Sequence, residues 1–370
     1  MMLSITRTIS GTITKKPYVS RIGTLMTKRK RVTIKHVARE AGVSTQTVSR
    51  VINERPDVAP ETRRRIKEII DQLGYQPSAL ARSLIHQRSY TIGVVTAGLK
   101  FIGPSRTLNG ITFQAEEMGY TLLLKELPRF NTNEVEPILN SLIARQVDGI
   151  IWAVPEVSDN RAWLQEQLPD LPVPILFLTM EPTDGLSIVS IDNYHGGRMA
   201  TEHLLQNGYQ QIGHIAGPMD WWESRRRKEG WEDVLSEAGL AHSDRQVAEG
   251  TWSSASGERA IRLLVEQYPE IDAVFVANDQ MALGVLQYTC QIGLQVPQDL
   301  GVVGFDGIAE SAYFWPPLTT VSQDQHTLGC TAVSELVQNI EISRQEKEEV
   351  EPKVEWLQSE LIIRQSSRTQ

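Results

Sequence analysis

Residues 33–53 read TIKHVAREAGVSTQTVSRVIN, and this stretch decides the N-terminal fold. Ile34, Val37, Ala38 and Ala41 fall at i, i+3, i+4 and i+7, one face of a helix, with Thr33 placed to cap its start. Gly42 stops that helix, and Ser44 caps a second one whose Val48, Val51 and Ile52 turn inward. Only Gly42-Val43 separates the two, which is the spacing of a helix-turn-helix. Downstream, Ile66, Ile69, Ile70 and Leu73 repeat the same period. They predict a third helix that Pro60 opens and Gly74 ends. The second helix keeps one polar face, made by Thr45, Gln46, Ser49 and Arg50. Such a face near a helix N-terminus can enter the major groove, where Gln pairs with adenine and Arg with guanine. Alone it fits a solvated surface equally well. Three helices in this order, in a basic segment, turn the reading towards DNA.

Charge supports the same division. The chain has 370 residues and a net charge of −8. Of its 37 Lys and Arg, 18 lie in residues 1–90, against 6 of its 45 Asp and Glu. A basic head on an acidic body fits a polyanion partner for the head alone. The length suits two or three domains. No apolar run approaches the ~20 residues that a membrane helix needs. Lys15 and Lys16 interrupt residues 1–25, and no signal-peptide core follows them. Residues 1–30 are therefore expected to be a disordered extension, or Met26, just before Lys28-Arg29-Lys30-Arg31, to be the native start. A cytoplasmic, nucleoid-associated location is expected. Cys290 and Cys330 match no metal spacing and fall in apolar helical patterns, so both are expected as small core residues. The seven histidines form no metal-ligand spacing, and HExxH, GxSxG and Walker patterns are absent. No enzyme activity, metal or cofactor is expected.

From Tyr90 onward, apolar strands alternate with amphipathic helices. Strands are predicted at 92–96, 120–125, 149–153 and 175–178, with helices around 106–118, 133–146 and 160–168. A second series has strands at 211–216, 272–277 and 301–305, with helices near 195–207, 224–239, 254–267 and 279–292. Alternation of this kind argues for parallel sheets covered by helices, and two series in tandem argue for two lobes. Ligands of such sheets bind beyond the carboxyl ends of the strands, so the cleft between lobes is the natural site. Asn278 and Asp306 each follow an apolar strand and are expected to project into it. Arg227 lies on the helix after Gly217-Pro218. An Arg and a carboxylate aimed at vicinal hydroxyls make directional, charge-assisted bonds. Arg227 also sits in the run Arg225-Arg226-Arg227-Lys228, which fits a solvated face.

The run at 33–53 resembles the LacI/GalR family of repressors, and YQPSALARSL at 75–84 resembles that family's hinge. GYQQIGHIAGP (208–218), ANDQMALGV (277–285), VVGFD (302–306) and PPLTTVSQD (316–324) are similar to its effector domain. The resemblance implies an all-α helix-turn-helix head joined to an α/β two-lobed, periplasmic-binding-protein-like effector domain with parallel sheets. The boundaries it implies are 31–77 for the head, 78–89 for hinge and linker, and 90–370 for the effector and dimerisation domain. The chain is expected to cross between lobes near 190, near 320 and after Gln345.

By position, the resemblance makes Thr45, Gln46 and Arg50 base readers, and Ser49 joins them on the polar face. Thr33, Ser44, Thr47 and Asn53 match phosphate anchors. Ala81 and Leu84 of the hinge match the minor groove, with Leu84 as the kinking wedge. Arg227, Asn278 and Asp306 match effector ligands, and Trp252 matches an aromatic that packs on the sugar. Trp152 and Gln323 complete the candidate effector set. Trp221, Trp222 and Trp315 lie near the expected cleft edges. Thr179 stands where galactoside-responsive relatives often carry Asp, and Ala59 where relatives often carry a Ser cap. The implied partners are double-stranded operator DNA, a mono- or disaccharide effector and a second copy of the chain. No leucine heptads follow the apolar strand around 361–363, so a dimer is expected rather than a tetramer. In most sugar-sensing relatives the ligand weakens DNA binding and in purine-type relatives it does the reverse, so the resemblance implies a repressor released by a small sugar, with a corepressor-dependent regulator or a sugar-binding protein without a DNA role as the alternatives.

Overall fold

The computed structural model describes residues 32–75, 88–130, 135–164, 168, 171–345 and 351–367. The chain divides into two compact units, with the boundary between Arg82 and Ser83. Residues 1–30 and the hinge positions 78–87, including Ala81 and Leu84, lie outside the described residues.

The first unit holds α1 (Ile34–Glu40), α2 (Thr45–Ile52) and α3 (Pro60–Leu73). Thr33 caps α1, and its backbone N–H donates to His36 Nδ1 at 3.0 Å. Ser44 caps α2, its Oγ accepting from the Thr47 N–H at 3.1 Å. Val37, Ala38, Ala41, Val48, Val51, Val58 and Ile66 form the core. Ile52, Ile69, Ile70 and Leu73 pack around it, partly buried. Pro60 opens α3, and Gly74 closes it in the left-handed conformation. Ala59 supplies no side-chain cap. Ala59→Ser should therefore raise head stability by about 1 kcal/mol. A higher melting temperature for the head transition of the full chain would show it.

The second unit begins with β1 (Thr91–Ala97), α4 (Ile102–Glu117), β2 (Thr121–Leu127), α5 (Glu136–Ile143), β3 (Gly149–Ala153), β4 (Ile175–Leu178) and β5 (Ile188–Ile191). It continues with α6 (Asn193–Gln206), β6 (Ile212–Ala216), α7 (Trp222–Glu237), β7 (Val247–Glu249), α8 (Ser254–Gln267), β8 (Ala273–Val276), α9 (Asp279–Ile292), β9 (Gly301–Asp306) and β10 (Thr319–Ser322). It ends with α10 (Gln325–Arg344), β11 (Val354–Leu357) and β12 (Glu360–Ile362). One sheet runs β11-β5-β4-β3-β1-β2 and the other β12-β10-β9-β8-β6-β7. In the first sheet Ile92 stands opposite Gly149 and Leu122.

Both sheets are covered on both faces, which is why their strands read as continuous apolar runs. Along β1, Ile92 and Val94 face one core while Val95 and Ala97 face the other. In the second sheet Val274 and Val276 face one core, and Ala273 and Phe275 its opposite.

The chain crosses between lobes after β5, after β10 and between β11 and β12. The third crossing, after Gln345, falls at 358–359 because β11 first pairs with β5. Having crossed there, β12 enters its sheet from the cleft side. It runs antiparallel to β10, the one antiparallel strand pairing in the two otherwise parallel sheets among the described residues. Of the helix expected at 160–168, residues 160–163 form turns and 165–167 lie outside the described residues. The expectation for the cysteines is also corrected. Cys290 is exposed, in the last turn of α9, and Cys330 is half-buried with Sγ 3.5 Å from the Gly110 carbonyl. Among the described residues no helix is long and apolar enough to cross a membrane, and no His/Cys/Asp/Glu group could hold a metal ion.

Candidate nucleic-acid interface and ligand cleft

On α2, Thr45, Gln46 and Arg50 are exposed and Ser49 is half-buried, so the polar face stands opposite the buried Val48 and Val51. Arg50 pairs with Asp57 at 3.3 Å, with both side chains about half exposed. A pair this wet is worth ~0–1 kcal/mol and opens cheaply. Asn53 donates to the Ser49 carbonyl at 2.9 Å and to its Oγ at 3.2 Å, which ties the end of α2 to its middle. Thr33 and Ser44 sit at helix starts, where free N–H groups and the helix dipole favour an anion. Thr47 is half-buried, with its Oγ1 2.9 Å from Ser44 Oγ.

In the second unit, the carboxyl ends of both sheets face a cleft of about 340 Å³. This is the low end of the range for small-molecule sites and suits one or two sugar rings. Lys100, Phe101, Ala153, Pro155 and Thr179 line it from the first lobe. Trp221, Glu223, Arg227, Trp252, Asn278 and Asp306 line it from the second, and Gln323 lies at the β10 crossing. The expected residues Arg227, Trp252, Asn278, Asp306 and Gln323 therefore converge.

Trp152 does not join them. It is 2% exposed and packs on Trp163 with ring centroids 4.7 Å apart. On β3 its side chain takes the core face, and the next residue, Ala153, reaches the cleft instead. Trp222 is buried and stacks on Trp356, and Trp315 is 87% exposed.

Arg227 is the centre of the polar wall. It is 5% exposed, and its Nε donates to Asn193 Oδ1 at 2.8 Å. Its Nη1 donates to the Ala277 carbonyl and lies 3.9 Å from Asp306 Oδ1. The guanidinium sits 3.8 Å from the centroid of the Phe305 ring. Gly197 of α6 allows this arrangement, since a Cβ there would lie 2.3 Å from the Arg227 carbonyl oxygen. Burial lowers the Arg227 pKa, and the carboxylates of Asp306 and Glu223 work against that.

Asp306 accepts from Gln323 Nε2. Asn278 caps α9, its Oδ1 accepting from the Met281 N–H at 2.9 Å, while its Nδ2 donates to the Trp252 carbonyl at 3.1 Å. The Trp252 ring rests on Gly217, where a Cβ would lie 2.0 Å from the indole. Trp252, Thr179 and Asp306 all hold positive φ, at 64°, 55° and 104°. Such strain costs ~1–3 kcal/mol per residue and clusters at functional sites. At the mouth, Phe101 and Phe130 of the first lobe meet Trp221 of the second, with centroids 6.1 and 4.8 Å away.

Several acids here are displaced upward from their ordinary range, Asp306 by burial with Arg227 opposing the shift. Burial pushes Glu223 up to about 7, with Arg227 opposing the shift. Burial, then the neighbouring Asp306, pushes Asp279 up to about 7, although Asp279 accepts from Thr320 Oγ1 at 2.6 Å and from the Ile308 N–H at 2.8 Å. The folded state thus binds more protons than the unfolded state between roughly pH 4 and 7. Stability falls as pH rises through that window and is level above it. Glu223→Gln should remove one share of the loss, stabilising the chain above pH 7 by up to about 3 kcal/mol relative to its effect at pH 4. Melting temperatures of both proteins across that range would show it; parallel curves would not.

Sequence reasoning missed Glu223, although it stands four residues before Arg227 and shares its helix face.

The comparisons with known proteins agree with this architecture. The model of bacterial regulatory proteins, lacI family, matches residues 33–78, and that of the periplasmic binding protein-like domain matches 201–367. Catabolite control protein A of Priestia megaterium is 34% identical over 339 residues, covering 91% of this chain and 99% of that protein. A crystal structure of the lac repressor dimer bound to operator and the anti-inducer ONPF superposes with a TM-score of 0.79 at 32% identity, covering 92% of this chain and all of that one. The transcriptional regulator CelR in complex with cellobiose gives 0.67 at 31% identity, covering 91% and all.

Proposed function

From the chain's membership of the LacI family of bacterial regulatory proteins, we propose that it is a transcriptional repressor that binds a palindromic operator as a dimer and is released by a small sugar. The observation that carries the effector half is the convergence of Arg227, Asp306, Asn278 and Trp252 on one cleft between the lobes. A guanidinium and a carboxylate offer paired donors and acceptors to vicinal hydroxyls, and the indole offers an apolar face to sugar C–H groups. The CelR structure is a complex with cellobiose, a disaccharide, which supports a saccharide here.

In this reading Thr45, Gln46, Ser49 and Arg50 read bases. Thr33, Ser44, Thr47 and Asn53 hold phosphates, and Ala81 and Leu84 enter the minor groove. The head spans 31–77, the hinge 78–89 and the effector domain 90–370. One head offers few base contacts, so a two-fold operator and two copies of the chain supply specificity together. The sugar acts by preferring one lobe arrangement. It can weaken operator binding only by its differential affinity for the two states. No catalytic step is assigned to the cleft, and the protein works in the cytoplasm, on its DNA.

Selection of binding sites from random duplexes, followed by titration of the selected duplex with mono- and disaccharides, tests the proposal. A palindrome released by one sugar is the expected result. Steady turnover of a bound sugar, or the absence of any selected sequence, contradicts it. A sugar that tightens operator binding contradicts the release step.

A further inference from the structure

Glu223 lies on the first turn of α7, one turn before Arg227, and both side chains enter the cleft from the same helix face. Its Oε2 atom is buried and has no hydrogen-bond partner among the described residues. A buried carboxylate oxygen without a donor is costly to leave unmatched, so the position suits a bound molecule that brings one. Arg227 offsets the charge without closing the contact: its Nε and one Nη1 hydrogen go to Asn193 and to the Ala277 carbonyl, and it makes no hydrogen bond to Glu223 Oε2. Trp252 Nε1, on the same cleft wall, is also buried without a partner among the described residues. The wall therefore presents an unmatched acceptor and an unmatched donor, which hydroxyl groups can satisfy together because each both donates and accepts.

The charge of the lining points the same way. Its charged side chains are Glu223, Asp306, Arg227 and Lys100. Arg227 is already shared between Asp306, at 3.9 Å, and the Phe305 ring. Lys100 is exposed at the rim, its Nζ 5.1 Å from the centroid of the Phe101 ring. A phosphate or carboxylate brought to the inner wall would face two acids against one guanidinium, with the Lys100 ammonium out at the rim. An uncharged hydroxyl donor would face an acceptor that lacks a partner.

We propose that Glu223 is a specificity-determining residue of the cleft: it accepts a hydrogen bond from a hydroxyl of an uncharged sugar and turns away sugars bearing phosphate or carboxylate at that position. The inference rests on the sugar-effector reading above and narrows its ligand to neutral saccharides. Burial raises the pKa of Glu223, and Arg227 and the residue's own backbone N–H work against that. Discrimination is accordingly greatest above neutral pH, where the group is ionised.

The test uses the full chain at pH 8, with tryptophan fluorescence reporting ligand binding independently of DNA. The probes are glucose, galactose, ribose, cellobiose and lactose, set against glucose 6-phosphate, galactose 6-phosphate, ribose 5-phosphate, glucuronate and cellobionate. The wild type should bind one neutral sugar at least ~100-fold more tightly than its anionic counterpart, as expected for lost pairing plus like-charge repulsion. Glu223→Gln should lower that ratio by roughly ten-fold or more, by weakening the neutral sugar and admitting the anionic one. Glu223→Ser, which keeps an acceptor without the charge, should lower it in the same direction, and operator binding confirms that each variant is folded. An anionic sugar bound as tightly as its neutral counterpart by the wild type overturns the inference, and so does a ratio unchanged in both variants. Saturable binding distinguishes those outcomes from failure of the underlying reading, in which no sugar of either kind binds and both fall.

Discussion

Arg227→Leu is expected to abolish release by sugar while leaving operator affinity without sugar within a few-fold of wild type. The side chain is buried, tied to Asn193 and to the Ala277 carbonyl, and lies beside Asp306 on the same cleft wall. Charge-assisted bonds to a ligand hydroxyl are worth about 1.5–3 kcal/mol, and the same substitution leaves Asp306 without its cation. The combined loss should weaken the effector by at least ~100-fold. Leucine fills the space over the Phe305 ring, so the lobe keeps its core, although removing one partner of a buried pair can cost about 3–5 kcal/mol of stability. Arg227→Lys separates charge from geometry. It keeps the cation but cannot reach Asn193 and Ala277 together, and it should recover only part of the response. Operator release measured against sugar concentration decides the matter. A leucine variant released at the wild-type concentration would remove Arg227 from the site.

Arg50→Ala and Gln46→Ala should each cost about 1–3 kcal/mol at the base pair they read, and each should relax the selected operator at that position alone. Both side chains are exposed on the face of α2 opposite its buried valines. Arg50 must first leave Asp57, but that pair is half solvated and its loss costs little. Asp57→Ala should then strengthen binding slightly on every sequence, since it removes a negative charge beside the recognition face. Thr33→Ala should weaken all sequences alike, as a phosphate contact does. Repeating the site selection with each variant separates the two kinds of residue. An unchanged selected sequence for Arg50→Ala would deny it a base.

The head was legible because its periodicity and caps agree, with Thr33 and Ser44 standing where the helices begin. The sheets were legible because strands buried on both faces read as short apolar runs. That same feature hid Trp152. In a strand apolar on both sides, nothing local says which face meets the cleft, and a shift of one residue exchanges Ala153 for Trp152. Glu223 was lost in the charged run WESRRRK, where its relation to Arg227 was visible only as a four-residue spacing. The cysteines misled because an apolar helical pattern does not fix where its last turn leaves the core, and Cys290 sits in such a turn. The short strands β7 and β11 carry weak patterns of their own and are defined by their neighbours in the sheets.

Coupling between the cleft and the head is the central claim, and linkage gives its most direct test. The affinity of the chain for its selected operator duplex is measured with and without saturating sugar. Its affinity for that sugar is then measured with and without saturating duplex. The account predicts that sugar weakens operator binding and that operator weakens sugar binding by the same factor. A sugar that binds equally well to the free and operator-bound chain would contradict it.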